Sequence, residues 1–574
     1  MTLSLQTMPA DARAQDPDLW WRHAAVYEIY PRSFADGNGD GIGDLAGVRE
    51  HLDYLQQLGI DAIWFTPWYA SPLADGGYDV ADYREIHPAF GTRSDAEGLI
   101  REAAERGIRT IIDIVPNHIS SRHPWFQEAL ASPPGSAARD RFWFRPGKGE
   151  SGEEMPTRWP NNFGGDSWTR TVTPDGTPGE WYLHLFAPEQ PDLNWSHPDV
   201  RAEFEAILRF WFDRGVAGIR IDSAALLVKD PRLPEIPENP GPGQHPNLDR
   251  DELHDIYRSW RRIADEYGAR DGQQRVLVGE VWLADMDRFA MFLRPDEMHT
   301  AFNFDFMTRP WDASALRDSI QETLDVHSRV GAPPTWVLSN HDVTRPVTRL
   351  GREDTAFAFQ RKRFDTHADI ELGTRRARAA AVLAATLPGV MYVYQGEELG
   401  LPEVEDIPLN RMDDPMYYRS GGTDPGRDGC RVPLPWTAEG ESYGFSPEGA
   451  GSDTWLPQPS GWGDYSVERE QQDPESTLAL YRRLLAARRE IAGSPFNWLP
   501  SAPDVIAYRR GAATVVVNLT DQDVQLPAGR IVAASARLAG RQLPPDTAVW
   551  LAPPDGTAPQ AEFTPASTLI STQS

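Results

Sequence analysis

The stretch IRTIIDIVPNH, residues 108–118, decides how the rest of the chain is read. Its first half is a β-branched run of the kind buried on both faces of a parallel sheet. Its second half breaks at Pro116 into the polar pair Asn117 and His118. Seven other β-branched or aromatic runs resemble it, at residues 26–34, 60–67, 218–224, 276–282, 300–306, 335–342 and 389–396. Between them lie amphipathic stretches such as 45–58, 94–106 and 200–214, with apolar residues at helical spacing. Strands alternating with helices predict a parallel sheet with right-handed crossovers. Eight units predict an α/β fold of the closed (β/α)8, or TIM-barrel, type; an open doubly wound sheet is the alternative with the same alternation.

Two places depart from that rhythm. Residues 119–197, rich in Gly, Pro, Trp and Asn, are too many for a loop and predict an inserted subdomain after strand 3. A Pro/Gly-rich excursion at 401–457 follows strand 8. From residue 497 the pattern turns to short strands, DVIAYRR and ATVVVNLT, which predict a C-terminal antiparallel, sandwich-like β domain over 497–574. Residues 1–118 and 198–496 are left to the barrel.

Composition narrows the function. In 574 residues, 56 Lys and Arg face 85 Asp and Glu, a formal charge of −29. That disfavours nucleic acids, which need clustered cations, and anionic membranes for the same reason. The single Cys430 cannot form an intrachain disulfide. The opening MTLSLQTMPADARAQ lacks a basic start followed by an apolar stretch, and no run of 18 apolar residues occurs. A cytoplasmic protein without a membrane span is expected, with monomer and homodimer both open.

Charged residues are rare in buried parallel strands, yet here they gather at strand ends: Asp113 and His118, Arg220 and Asp222, Glu280, His341 and Asp342. In a barrel these ends share one mouth, where active sites of this fold lie. Such a cluster suits a divalent metal hydrolase, or a pair of carboxylates flanking a glycosidic bond. Twenty Trp residues favour a sugar, and neither HExxH nor CxxC speaks for zinc.

The segments DIVPNH, GIRIDSAAL, GEVW and SNHD, in that order, resemble the four signature regions of the α-amylase family of glycoside hydrolases, family 13. QPDLNW at 190–195 resembles a fifth region, in the form of the oligo-1,6-glucosidase and α-glucosidase branch. VYEIYPRSFADGNGDGIGDLAGV, GGYDVADY and GEELGLP extend the likeness from about residue 20 to 480. The resemblance implies a retaining mechanism, with Asp222 as nucleophile, Glu280 as general acid and then base, and Asp342 holding sugar hydroxyls. It implies that Arg220 keeps the nucleophile ionised and that His118 and His341 donate to the glucose. Asp75 and Tyr78 would bind and stack on the terminal glucose, with Arg431 as a further ligand and Phe163, Phe186 and Gln190 lining the pocket. No cofactor is expected for catalysis, and the partner is a small α-glucoside. Asp113, Asn117 and Asp79 are expected to be structural.

Asp36, Asn38, Asp40 and Asp44 alternate with Gly and Ile42. The start mimics an EF-hand, but position twelve is Gly47 instead of Glu. The stretch resembles a calcium loop of the same branch, which implies structural Ca²⁺ or Mg²⁺ on Asp36, Asn38, Asp40, the Ile42 carbonyl and Asp44.

The residue after the nucleophile accompanies linkage in this branch: Val with α-1,6 and Thr with α-1,4 bonds. Ser223 carries a hydroxyl, so the resemblance leans to maltose and short maltooligosaccharides. Oligo-1,6-glucosidase activity, sucrose or trehalose as substrate, and transglucosylation remain alternatives, and a non-catalytic scaffold is disfavoured because all three carboxylates are present.

Overall fold

A computed structural model describes residues 17–173, 175–359, 362–364 and 366–554. The N-terminal stretch read for targeting signals and the end of the C-terminal domain lie outside them. Eight parallel strands, β1 (Ala25–Ile29), β2 (Ala62–Phe65), β3 (Arg109–Ile114), β4 (Gly218–Ile221), β5 (Val276–Gly279), β6 (Thr300–Ala301), β7 (Thr335–Trp336) and β8 (Val390–Tyr394), pair in the order β6-β5-β4-β3-β2-β1-β8-β7. This is the expected barrel, closed all but one seam. Across the β6–β7 seam Thr335 stands in for ladder bonds: its hydroxyl donates to the Ala301 carbonyl and accepts the Asn303 amide at 3.0 Å.

The strands are shorter than their sequence runs. Pro31 has no amide hydrogen for a ladder but suits a first helical turn, so the run from 26 stops at Ile29 and a helix occupies Pro31–Phe34. Asn303 caps the Phe306 amide and starts the helix Phe304–Thr308, ending β6 after two residues. The helices follow the expected periodicity, except that 45–58 divides at His51 into Leu45–Glu50 and Leu52–Leu58. Arg93–Glu105 opens on a Thr92–Asp95 capping box, and Pro198–Phe212 has Pro at its first position. The barrel interior holds Val26, Trp64, Ile111, Val278, Phe302 and Tyr392, while a larger apolar layer seals strands against helices.

After β3 the chain builds a small antiparallel sheet of Phe144–Arg145, Pro178–Leu183 and Trp168–Val172 over its own tryptophan-rich core. A buried cation ties it to the barrel. Lys229 Nζ donates to Asn117 Oδ1 at 2.6 Å and the Leu226 carbonyl at 2.8 Å, and lies 2.7 Å from Asp192 Oδ2. A five-stranded antiparallel sheet, from Phe496–Trp498 to Thr547–Ala552, packs on the helix Ile370–Thr386, where Arg510 Nη1 donates to the Thr386 carbonyl at 2.8 Å. Among the described residues no helix is long and apolar enough to cross a membrane.

Candidate active site

Register builds the first half of the site. Asp113 on β3 pairs with Arg220 on β4, so both side chains leave the sheet on the same face. Arg220 Nη1 donates to both Asp113 oxygens at 2.9 Å and to Asp222 Oδ1 at 2.8 Å, and its Nη2 lies 2.7 Å from Glu280 Oε2. One buried guanidinium therefore fixes carboxylates from three neighbouring strands. Glu280 also accepts the Ser223 amide at 2.9 Å and the Trp282 indole N–H at 3.0 Å. Ser223 sits at φ 47°, a left-handed turn uncommon outside glycine, directly after the Asp222 carboxylate.

The second half surrounds Asp342. Its Oδ1 accepts from Arg427 Nη1 at 3.1 Å and Arg431 Nη2 at 3.0 Å. Arg427 Nη2 reaches on to Asp75 Oδ1 at 2.7 Å, while its Nε donates to Asp414 at 2.6 Å. Asp75 Oδ2 accepts from Gln190 Nε2 at 3.1 Å, and that amide lies 3.0 Å from His118 Nε2. The turn that presents Asp75 and Tyr78 uses two glycines at positive φ, Gly76 and Gly77; a Cβ at Gly77 would come 2.8 Å from the Pro67 carbonyl. Tyr78 stacks on His341 with ring centres 5.4 Å apart and donates to Asp113 at 3.0 Å. Phe186 lies 5.0 Å from the His118 ring, and Phe163 5.3 Å from the Arg427 guanidinium.

Burial sets the protonation states. It lowers His118 to about 4 and His341 to about 3, so both are neutral at neutral pH. It pushes Asp113 up to about 7 against the pull of Arg220. Burial and the neighbouring Glu280 push Asp222 up, and Arg220 draws it back towards the ionised form. For Asp342 burial is outweighed by the charges around it, Arg427 and Arg431 among them, which hold its carboxyl well below the usual range.

The sequence-named residues Asp75, Tyr78, His118, Phe163, Phe186, Gln190, Arg220, Asp222, Ser223, Glu280, His341, Asp342 and Arg431 thus meet in one network. Three further participants join it. Glu28 of β1, buried and pushed well up in pKa by burial and by Asp342, bonds His341 Nδ1. Its signal was a lone acid inside a wholly buried strand. Arg427 bridges Asp75 and Asp342, and Trp282 stacks flat on Phe304 at 3.7 Å beside Glu280. Asp113 and Asn117 support their neighbours, as expected of structural groups.

Part of this network, Phe163, Phe186, Ser223, Glu280, Trp282, Asp342 and Arg427, lines a cleft of about 490 Å³. Residues 28–493 match the alpha amylase, catalytic domain family. The chain belongs to the α-amylase family of glycoside hydrolases. Among its relatives it is 34% identical over 544 residues to trehalose-6-phosphate hydrolase of Escherichia coli (strain K12), covering 88% of this chain and 92% of that one. It is 33% identical over 516 residues to oligo-1,6-glucosidase of Parageobacillus thermoglucosidasius, covering 82% and 84%. The crystal structure of the alpha-glucosyl transfer enzyme XgtA superposes with a TM-score of 0.78 at 31% identity, over 93% of this chain and 99% of that one. The fold and family expected from the signature segments therefore hold. The relatives' names span hydrolysis and transfer of glucosyl groups.

The Gly/Asp loop stands apart from this network. Asp36 accepts the amides of Asn38, Gly39 and Gly41, Asn38 that of Asp40, Asp40 that of Ile42, and Asp44 those of Gly37 and Gly47. Among the described residues no three His, Cys, Asp or Glu side chains form a metal cluster by themselves. A cation here would also draw on Asn38 and the Ile42 carbonyl, and that all-oxygen donor set fits Ca²⁺ or Mg²⁺.

Proposed function

We propose that the protein is a retaining, exo-acting α-glucosidase that removes terminal α-1,4-linked glucose from maltose and short maltooligosaccharides. The observation that supports this reading lies beside Asp342 and Arg427 in the cleft wall. There Asp75, Arg427 and Asp342 form one bonded chain, continued by Gln190 and His118. In this reading a glucose seated on Tyr78 meets this bonded chain on its far side, so attack falls on the first linkage.

In this reading Asp222 attacks the anomeric carbon while Glu280 protonates the leaving oxygen. The leaving alcohol departs, and Glu280 then takes a proton from water as that water displaces Asp222. Sharing one guanidinium keeps the two carboxylates close, as a covalent double displacement requires. Asp342, ionised between two arginines, accepts hydroxyls of the sugar, and neutral His118 and His341 can donate to them.

The hydroxyl of Ser223 supports the α-1,4 preference. A phosphorylated disaccharide is less well served: Arg427 is the only Lys or Arg among the described residues lining the cleft, and carboxylates already engage it. We further propose that the Asp36–Asp44 loop holds a structural divalent cation. A cytoplasmic site of action accords with a single cysteine, buried at Cys430.

Initial rates on maltose, isomaltose, sucrose, trehalose and longer maltooligosaccharides test the specificity, and NMR of the first glucose released tests the mechanism. Maltose should lead, and α-glucose should appear first. β-Glucose as the first product would exclude retention.

A further inference from the structure

Glu28 is a buried acid that takes no part in the double displacement. Two residues after Val26 on β1, it points into the barrel as Val26 does. Its Oε1 bonds His341 Nδ1 and lies 3.4 Å from the His341 amide nitrogen. Aromatic rings hold the imidazole in place. It stacks on Tyr78, with ring centres 5.4 Å apart, and on Tyr30 at 6.0 Å, while Trp64 meets it on edge at 6.0 Å. Each ring nitrogen therefore faces fixed partners.

Those partners set the direction of the hydrogen bonds. Nε2 lies 3.4 Å from Oδ2 of Asp342, an ionised carboxylate, and 2.8 Å from the Tyr78 hydroxyl, which itself donates to Asp113 at 3.0 Å. A nitrogen facing an anion and a hydroxyl whose hydrogen is already placed must carry a proton. Burial, helped by Arg431, Arg220 and Arg427 against the pull of Asp342, keeps the ring neutral. Nδ1 is then a bare lone pair, and its bond to Glu28 takes the hydrogen from the carboxyl. The surroundings of Glu28 favour that proton. Burial and Asp342 raise its carboxyl well above the ordinary range, Arg220 and the His341 amide pull it back, and Asp113 adds to the rise. Tyr392 and Tyr394 of β8 face it as well.

We infer that Glu28 is a positioning residue that works as a neutral acid: its proton, donated to His341 Nδ1, holds that imidazole in the tautomer whose Nε2–H faces the sugar site beside Asp342. This rests on the α-glucosidase reading for what Nε2–H meets there, a glucose hydroxyl. A carboxylate at Glu28 would call for the hydrogen on Nδ1 instead. Nε2 would then set its lone pair against Asp342 and would no longer donate to the glucose. Glu28 acts only through His341 and transfers no proton in the reaction.

Histidine ring NMR on nitrogen-labelled enzyme reads the tautomer directly, the His341 signals being those missing from His341→Asn. In the wild type at neutral pH, Nε2 should carry the hydrogen and Nδ1 the lone pair. Glu28→Gln, whose amide can also donate to Nδ1, should keep that pattern and a kcat/KM on maltose within about threefold of wild type. Glu28→Met, of similar length but without a donor, should lose kcat/KM at least about tenfold, mostly through KM. A hydrogen on His341 Nδ1 in the wild type would overturn the inference, whether or not the variants fold. So would a folded Glu28→Met with the wild-type KM, or a Glu28→Gln as impaired as Glu28→Met. Inactivity of the wild type on every α-glucoside would instead overturn the glucosidase reading, and the role toward glucose with it.

Discussion

Arg427 Nη2 lies 2.7 Å from Asp75 Oδ1, joining a residue of the excursion after β8 to one of the loop after β2. Asp75 and Arg427 are both buried, and the same guanidinium also serves Asp342 and Asp414. Removing it leaves buried acids uncompensated, a loss of about 3–5 kcal/mol for a broken buried pair. Arg427→Ala should therefore lower kcat/KM on maltose by at least about a hundredfold. Arg427→Lys, which keeps the charge but not the fork, should recover only part of it. Activity within threefold of wild type in Arg427→Ala would show that the site does not depend on this bridge.

The assignment of Asp222 and Glu280 is separable by chemical rescue. Asp222→Gly and Glu280→Gly should each lose at least about 10⁴-fold in activity, as for removal of a covalent or acid–base partner. With an activated aryl glucoside, azide should restore turnover to both. It should give the β-glucosyl azide with Asp222→Gly, by direct displacement, and the α-glucosyl azide with Glu280→Gly, by attack on the glucosyl enzyme. Product NMR distinguishes them, and the reverse pattern would exchange the two roles.

The barrel and the clustering of carboxylates at its strand ends were legible because each depends on local sequence. Asp113 and Arg220 sit on strands whose β-branched runs announce them, with Asp222 just past the end of the second, and parallel register then brings them together. What lay in loops was less legible. Arg427 and Arg431 are four residues apart in RDGCRVP, with a single turn of 3₁₀ helix at Asp428–Cys430 between them. Only the path of that turn shows that both reach Asp342 and that Arg427 alone continues to Asp75. Nothing local marks Ile236 or Leu248 as cleft walls, since the loop carrying them is positioned by Arg288 from another element. Glu28 was readable in principle, because an acid in a strand buried along its whole length needs a partner.

Lys229 should matter more to folding than its place outside the reaction suggests. It is fully buried between Asn117, Asp192 and the Leu226 carbonyl, where barrel and inserted sheet meet. Lys229→Met keeps the volume but strands the Asp192 carboxylate, at a cost of about 3–5 kcal/mol. A lower urea midpoint and faster proteolysis within residues 119–197 are expected. Unchanged proteolysis of that segment would show that its attachment rests on other contacts.

If the Asp36–Asp44 loop holds a cation, stability should follow the free ion concentration by linkage. At a hundred times Kd the gain is about 2.7 kcal/mol. Chelation should lower Tm, Ca²⁺ should restore it, and Asp36→Ala should abolish the increment with little effect on kcat for the folded enzyme. A Tm indifferent to chelator and Ca²⁺ would argue that the loop is held by its own amide bonds alone.

Glu397, behind β8, provides the pH dependence of stability that is simplest to isolate. It is buried, accepting Ser339 Oγ at 2.6 Å and Tyr481 OH at 2.7 Å, and burial raises its carboxyl to about 7. A carboxyl raised on folding binds its proton more tightly in the native state. Its contribution is therefore fully present below about pH 4.5 and is lost as pH rises through about 7. The loss is of the order of 3 kcal/mol. Glu397→Gln removes the titration while keeping the shape, so wild type should lose more stability than the variant between pH 5 and pH 8. Urea unfolding of both proteins at the two pH values measures this directly, and parallel losses would mean that Glu397 is already ionised in the fold at pH 5.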